Sequence, residues 1–269
     1  MQTYSFSQWV LFFFIYSFAG WIWESCYVSV RERRWVNRGF MHGPFLPLYG
    51  SGAVTVLACT LAVRDNIVLV YFIGMTGATT LEFITGAVME KLFRVKYWDY
   101  SKHRFNLKGY ICLMSSLCWG CFSVLMVKAG HAPVEKAVLM LPKGAAAAAA
   151  CILAAGTAVD FAMSFREAMD MKQLLGRLEQ TKSQLLRLQD KLKQVPENAA
   201  EDYRQRTEKW KQDLAEIKDS IVREVQKLTG RSDKRYLHIA GLLRRNPGAA
   251  SEKFKETFEE LKKLINGRK

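Results

Sequence analysis

Histidine and proline are scarce in this 269-residue chain, at four and six residues. The phosphate-cradling pattern G-x-x-x-x-G-K-[ST] does not occur, so no ATPase of that kind is encoded here. Nor does H-E-x-x-H, a Ser-His-Asp arrangement or a paired-aspartate metal motif, so no catalytic residue is assigned. The six cysteines, Cys26, Cys59, Cys112, Cys118, Cys121 and Cys151, all lie in apolar runs, unlike a secreted disulfide framework. Cys118 and Cys121 make a C-x-x-C, but no second pair or nearby histidine completes a tetrahedral zinc set. No metal and no cofactor is expected, and these cysteines read as small packing residues of membrane helices.

Acidic residues are also few in the first part of the chain, and this points to what the chain does contain. Residues 1–165 hold 14 basic and 8 acidic residues and six of the seven tryptophans; residues 166–269 hold 25 basic and 17 acidic residues. A single soluble domain does not segregate in this way. The expectation is an all-α chain: a polytopic transmembrane helical domain over 1–165, then a charged helical tail over 166–269. Five apolar stretches suit membrane spans, at Phe6–Val30, Pro47–Val63, Ile67–Glu90, Gly109–Val127 and Gly144–Phe165, with a short interfacial helix near Pro133–Leu141. The first lacks the basic start of a signal peptide.

Charge bias sets the orientation. The 31–46 connection carries Arg31, Arg33, Arg34 and Arg38, and the 91–108 connection carries Lys91, Arg94, Lys96, Lys102, Arg104 and Lys108. With the N-terminus outside, five spans put both loops and the tail in the cytoplasm, as the positive-inside rule requires. A multi-pass protein of the cell membrane is the expected localisation, with the lipid bilayer as its first partner.

The tail repeats apolar residues at helical spacing. Met171, Leu174, Leu178, Leu185, Leu188, Leu192 and Val195 form one heptad seam, with Thr181 in its polar position, and Trp210, Leu214, Ile217, Ile221 and Leu228 a second. An antiparallel hairpin turning at Val195–Asn198 follows, and a coiled-coil homodimer through the tail is the alternative. Further helices are expected around Tyr236–Leu243 and through Phe254, Phe258, Leu261 and Ile265. Basic and acidic residues alternate, as on a solvated helix face, so no nucleic-acid partner is inferred.

The chemistry rests on acids inside the spans. Glu24, Glu82 and Asp160 lie in three different spans, and Glu90 lies near the membrane surface. A lone carboxylate in lipid costs roughly 2.5 kcal/mol or more, so each must face the bundle interior, a basic partner or a wet cavity. Stripes of small and hydroxyl residues accompany them: Ser17, Gly20 and Glu24; Thr79, Glu82 and Gly86; Ser116, Gly120 and Ser123; Gly156, Asp160 and Ser164. Two readings stay open, ion pairing with Arg31, Arg34, Arg38 or Lys91, and a polar cavity that binds a cation, proton or substrate group. The Gly- and Pro-rich segment 37–50, with Asn37, Arg38, His42 and Tyr49, suits a re-entrant stretch lining that cavity. The segment from Tyr97 to Asn106, with Asp99, Arg104 and Asn106, mixes aromatic and basic residues and suits headgroup anchoring or partner docking.

Several stretches together resemble the family named putative ABC-transporter permease, type IV (CmpB-like). They are Tyr16-Ser17 with Gly20-Trp21 and Glu24; Asn37-Arg38-Gly39-Phe40 with Gly43-Pro44 and Tyr49-Gly50; Leu81-Glu82 with Met89-Glu90-Lys91-Leu92-Phe93; Trp98-Asp99-Tyr100-Ser101; and Phe105-Asn106-Leu107 with Gly109. They cover most of residues 10–125. The resemblance implies a permease subunit and a separate ABC ATPase, although no EAA-type coupling loop is recognisable. Five spans are few for a transporter acting alone, so a second copy or a partner subunit is implied. The alternatives are a membrane scaffold or sensor that recruits cytoplasmic partners through its tail, and a membrane-embedded enzyme acting on lipid headgroups.

Overall fold

Long apolar runs with few helix breakers fold as long helices. A computed structural model describes residues 4–193, 208–213, 215–216, 219 and 234–266. The elements are α1 (Phe6–Glu32), α2 (Pro47–Thr60) continued by a 3-10 turn (Leu61–Val63), α3 (Ile67–Phe93), β1 (Asn106–Leu107), β2 (Ile111–Cys112) and α4 (Leu113–Leu125). A π turn (Met126–Gly130) leads into α5 (His131–Leu139), followed by α6 (Lys143–Lys193), α7 (Lys234–Arg245) and α8 (Lys255–Asn266). Caps explain several ends. Ser5 and Gln8 form a capping box on α1, and the Asn66 side chain accepts from Val68 and Leu69 at the start of α3. Both α1 and α3 stop on an arginine in the left-handed conformation, Arg33 and Arg94.

Among the described residues, four apolar helical runs are long enough to cross a membrane, Phe6–Glu32, Ile67–Phe93, Leu113–Leu139 and Lys143–Gln184, while Pro47–Val63 is apolar but shorter. Their outer flanks keep large apolar residues exposed, among them Phe72, Ile84, Leu125, Ile152 and Val159, as a lipid-facing surface does. The chain thus folds as an all-α membrane helix bundle, with one two-stranded ribbon among the described residues. The fifth expected stretch does not end at Phe165: its helix runs on unbroken to Lys193, because no glycine–proline pair or cap interrupts residues 143–193.

The chain divides into two units, Met1–Arg166 with Arg244–Ala250, and Glu167–Leu243 with Ser251–Lys269. In the first, small residues let helices approach closely. A side chain added at Gly20 would strike the Tyr49 ring, one at Gly50 would strike Ser17 and Phe13, and one at Gly74 would strike Ser123. At Gly120 an added Cβ would lie 2.6 Å from Tyr71 Cε2. These contacts join α1 to α2 and α3 to α4. At the end where α1 begins, Leu11 and Phe12 pack with Val138, Ala146 and Ala150. The expected stripe on α6 is corrected at one point: Gly156 is exposed, with nothing within 4 Å of a Cβ placed there, whereas Ser164 is fully buried.

In the second unit Met171 and Leu174 are buried and Leu178 half-buried, but Ala168 and Leu175 are buried beside them. That stripe is wider than a two-position coiled-coil seam and suits packing within the chain. Phe254, Phe258, Leu261 and Ile265 are all buried, as their spacing foretold. Thr257 donates to Glu179 at 2.6 Å, Lys182 donates to Glu256 at 2.6 Å, and His238 faces Glu167 at 3.2 Å. The turn at Val195–Asn198, the side chains of Leu185, Leu188 and Leu192, and Leu214, Ile217, Ile221 and Leu228 lie outside the described residues.

Candidate functional site

The segment between α1 and α2 folds back along α1. The Leu46 N–H donates to Ser17 O at 3.0 Å, and Ser17 lies fifteen residues before the Glu32 end of α1, roughly 22 Å along its axis. Non-helical backbone at that depth needs partners inside the protein. It has them: Arg38 N–H donates to Ser25 Oγ at 3.1 Å, and Asp160 accepts from His42 N–H at 3.1 Å and Gly43 N–H at 2.7 Å. The Asn37 amide donates to His42 O at 2.7 Å and accepts from the Trp21 indole at 2.6 Å. Gly39, with φ of 135°, supplies a turn that side chains resist.

The acids fall into four settings. Glu24 accepts from the Tyr49 hydroxyl at 2.9 Å and from Arg38 Nε at 3.4 Å. The same guanidinium donates through Nη1 to Asn246 Oδ1 at 2.6 Å and through Nη2 to Tyr97 O at 3.3 Å. Asp160 Oδ1 lies 2.9 Å from His42 Nδ1, and Ser164 Oγ lies 3.1 Å from that nitrogen. Glu90 accepts from Tyr110 at 2.6 Å and lies 3.8 Å from the buried Lys96 ammonium.

Glu82 differs. It is 4% exposed, and its two oxygens accept from the Tyr100 hydroxyl at 3.3 Å and the Trp119 indole at 3.0 Å. Among the described residues no cationic side chain pairs with it. Burial, then the charges of Glu82 and Glu24, hold the Tyr100 hydroxyl well above the ordinary tyrosine range, so it stays a donor. The Tyr49 ring packs on Trp119 with centroids 5.3 Å apart, which joins the Glu24 and Glu82 settings into one aromatic-walled cluster.

Of the residues expected from sequence, Glu24, Arg38, Tyr49 and Glu82 come together in this cluster. Asn37, His42 and Asp160 form the neighbouring loop clamp, and Glu90 sits by Lys96. Asp99, Arg104 and Asn106 belong elsewhere. Asp99 accepts from Ser101 N–H at 2.9 Å, the Asn106 amide donates to His103 O at 2.8 Å, and Arg104 is exposed, all in the connection before α4. Sequence reading missed Trp119, Tyr100 as a carboxylate donor, and Asn246. Trp119 sits one residue before Gly120 of the small-residue stripe, and Asn246 opens an Asn-Pro-Gly turn. Among the described residues no group of three or more His, Cys, Asp or Glu is placed to hold a metal ion.

A model of the family described as putative ABC-transporter type IV matches residues 11–165. This stretch includes Glu24, the segment between α1 and α2, Glu82, Trp119 and Asp160. No solved structure matches the chain.

Proposed function

From the membership of this chain in the putative ABC-transporter type IV family, we propose that it is a permease subunit whose transport site is the Glu24–Tyr49–Trp119–Glu82 cluster. That it is a transporter-related membrane protein follows from the family and its apolar helices. The finer reading rests on one observation: Glu82 is buried and, among the described residues, has no cationic partner. A carboxylate held in a membrane bundle by neutral donors alone is costly, and such residues mark ion, proton or substrate pathways. Glu24, Asp160 and the 37–50 segment complete the wall of this cytoplasm-facing path. In the proposed arrangement the N-terminus lies outside the cell membrane and the tail in the cytoplasm, where a separate ABC ATPase supplies energy.

The test compares the ion and metabolite content of cells lacking the chain, complemented with wild type or with Glu82→Gln. Wild type restores the lost difference, and the variant fails to do so at equal membrane abundance. Full restoration by the variant would remove Glu82 from the path. Co-purification with an ATPase checks the partner.

A second reading, a sensor or scaffold, has its own observation. Asn246, from the C-terminal part of the chain, is held by the Arg38 side chain that also contacts Glu24. In that reading Asn246→Ala changes the set of co-purified proteins, while the Glu82→Gln variant behaves as wild type.

A further inference from the structure

Residues 101–108 are all exposed, yet their backbone is tightly fixed. Asn106 pairs with Cys112 and Leu107 with Ile111 in an antiparallel ribbon, and Leu113 N–H donates to Phe105 O at 3.2 Å. Phe105 and Lys108 have φ of 52° and 53°, a left-handed conformation that side chains rarely adopt. The buried Lys96 ammonium donates to Lys108 O at 2.9 Å, and the Trp98 indole donates to Tyr110 O at 2.8 Å. This hairpin is therefore a rigid platform rather than a slack loop.

What it presents is unusual for a surface facing only water. Phe105 is 81% exposed and Leu107 52% exposed. The two stand two residues apart at the tip of the ribbon, and the Phe105–Leu113 backbone bond sets Phe105 beside the exposed Leu113 of α4. Leu113 begins the Leu113–Leu139 run, one of the four long enough to cross a membrane. These exposed apolar residues thus adjoin the flank of that run at the level where headgroups lie. Lys102, Arg104 and Lys108 flank the apolar residues, are exposed, and supply positive charge at that level. The sequence had suggested headgroup anchoring by the aromatics of this loop, but Tyr97 is buried and Trp98 is partly buried and bonded inward.

We propose that the Ser101–Leu113 hairpin binds the anionic phospholipid surface: Phe105 and Leu107 enter the headgroup boundary beside α4, and Lys102, Arg104 and Lys108 hold lipid phosphates. Each basic side chain near an anionic bilayer strengthens binding severalfold. The apolar pair fixes the depth.

The test uses the full chain purified in mild detergent with added phosphatidylglycerol or phosphatidylcholine, and retained lipid is read by native mass spectrometry. Wild type retains phosphatidylglycerol preferentially. The combined variant Lys102→Gln, Arg104→Gln, Lys108→Gln loses that preference by at least about tenfold, with an unchanged melting temperature because only exposed side chains are altered. Retention equal to wild type would overturn the proposal. A second measurement places the photoreactive amino acid p-benzoylphenylalanine at position 105 in cell membranes. A lipid adduct supports the proposal. An adduct to another protein overturns it in favour of a docking surface, and the absence of any adduct overturns it as a water-facing tip.

Discussion

The Arg38 guanidinium donates to the Asn246 side-chain oxygen at 2.6 Å, across 208 positions of sequence. The Asn246 amide donates in turn to Gly39 O at 2.9 Å, and the side chain is buried. Two antiparallel backbone bonds between Lys96 and Ala250, at 2.7 and 2.9 Å, fix the same short segment. Asn246→Ala leaves a buried carbonyl and a guanidinium arm without this partner. A loss of about 1–3 kcal/mol is expected, read as a lower thermal midpoint in detergent, together with faster protease cleavage within residues 244–250.

Glu82 separates stability from chemistry. Glu82→Gln keeps an oxygen acceptor for Tyr100 or Trp119 and is expected to unfold close to wild type. Glu82→Ala strands both donors and opens a void, for an expected loss of about 2 kcal/mol or more. Thermal unfolding of the two variants, with membrane abundance measured in parallel, checks the difference. If both unfold alike, the two donors are not satisfied by Glu82.

Glycines report which helix faces are shared. Gly74→Ala drives a methyl into Ser123 and is expected to cost about 1–3 kcal/mol. Gly156→Ala meets nothing within 4 Å and is expected to be neutral, or to stabilise by up to about 1 kcal/mol through helix propensity. Unfolding midpoints of the two variants should move in opposite directions or differ clearly.

Tyr4 gives an alkaline signature. Its hydroxyl is pushed up from 10.0 to about 12, first by burial and then by its hydrogen bond and proximity to Glu135. The folded chain therefore holds this proton more tightly than the unfolded chain, and its contribution to stability is intact below pH 10 and lost as pH rises toward 12. Tyr4→Phe is expected to lose less stability than wild type between pH 10 and 12, as measured by thermal unfolding across that window.

The apolar runs, the acids within them and the small-residue stripes were legible because membrane burial imposes strong composition on sequence. The Asp160 environment was only half legible. An acid one turn before Ser164 signals an inward face, but the donors that reach it are the backbone N–H groups of His42 and Gly43, which carry no side-chain signature. Gly156 was misplaced because helical spacing alone does not tell a glycine that admits a neighbour from one that faces outward. Asn246 was invisible for another reason: its partner is 208 positions away, and no local period links them.

The buried carboxylate of Glu82 in α3 also constrains how the protein is made. Glu82 enters the bilayer on a helix synthesised before its hydrogen-bonding partners, since Tyr100, Ser115 and Trp119 all come later in the chain. Until α4 emerges and presents its indole, that helix carries an unsheltered acid and is poorly suited to release into lipid. Membrane integration of α3 is thereby tied to the arrival of α4, which makes the pair, rather than the single helix, the unit the insertion machinery must handle.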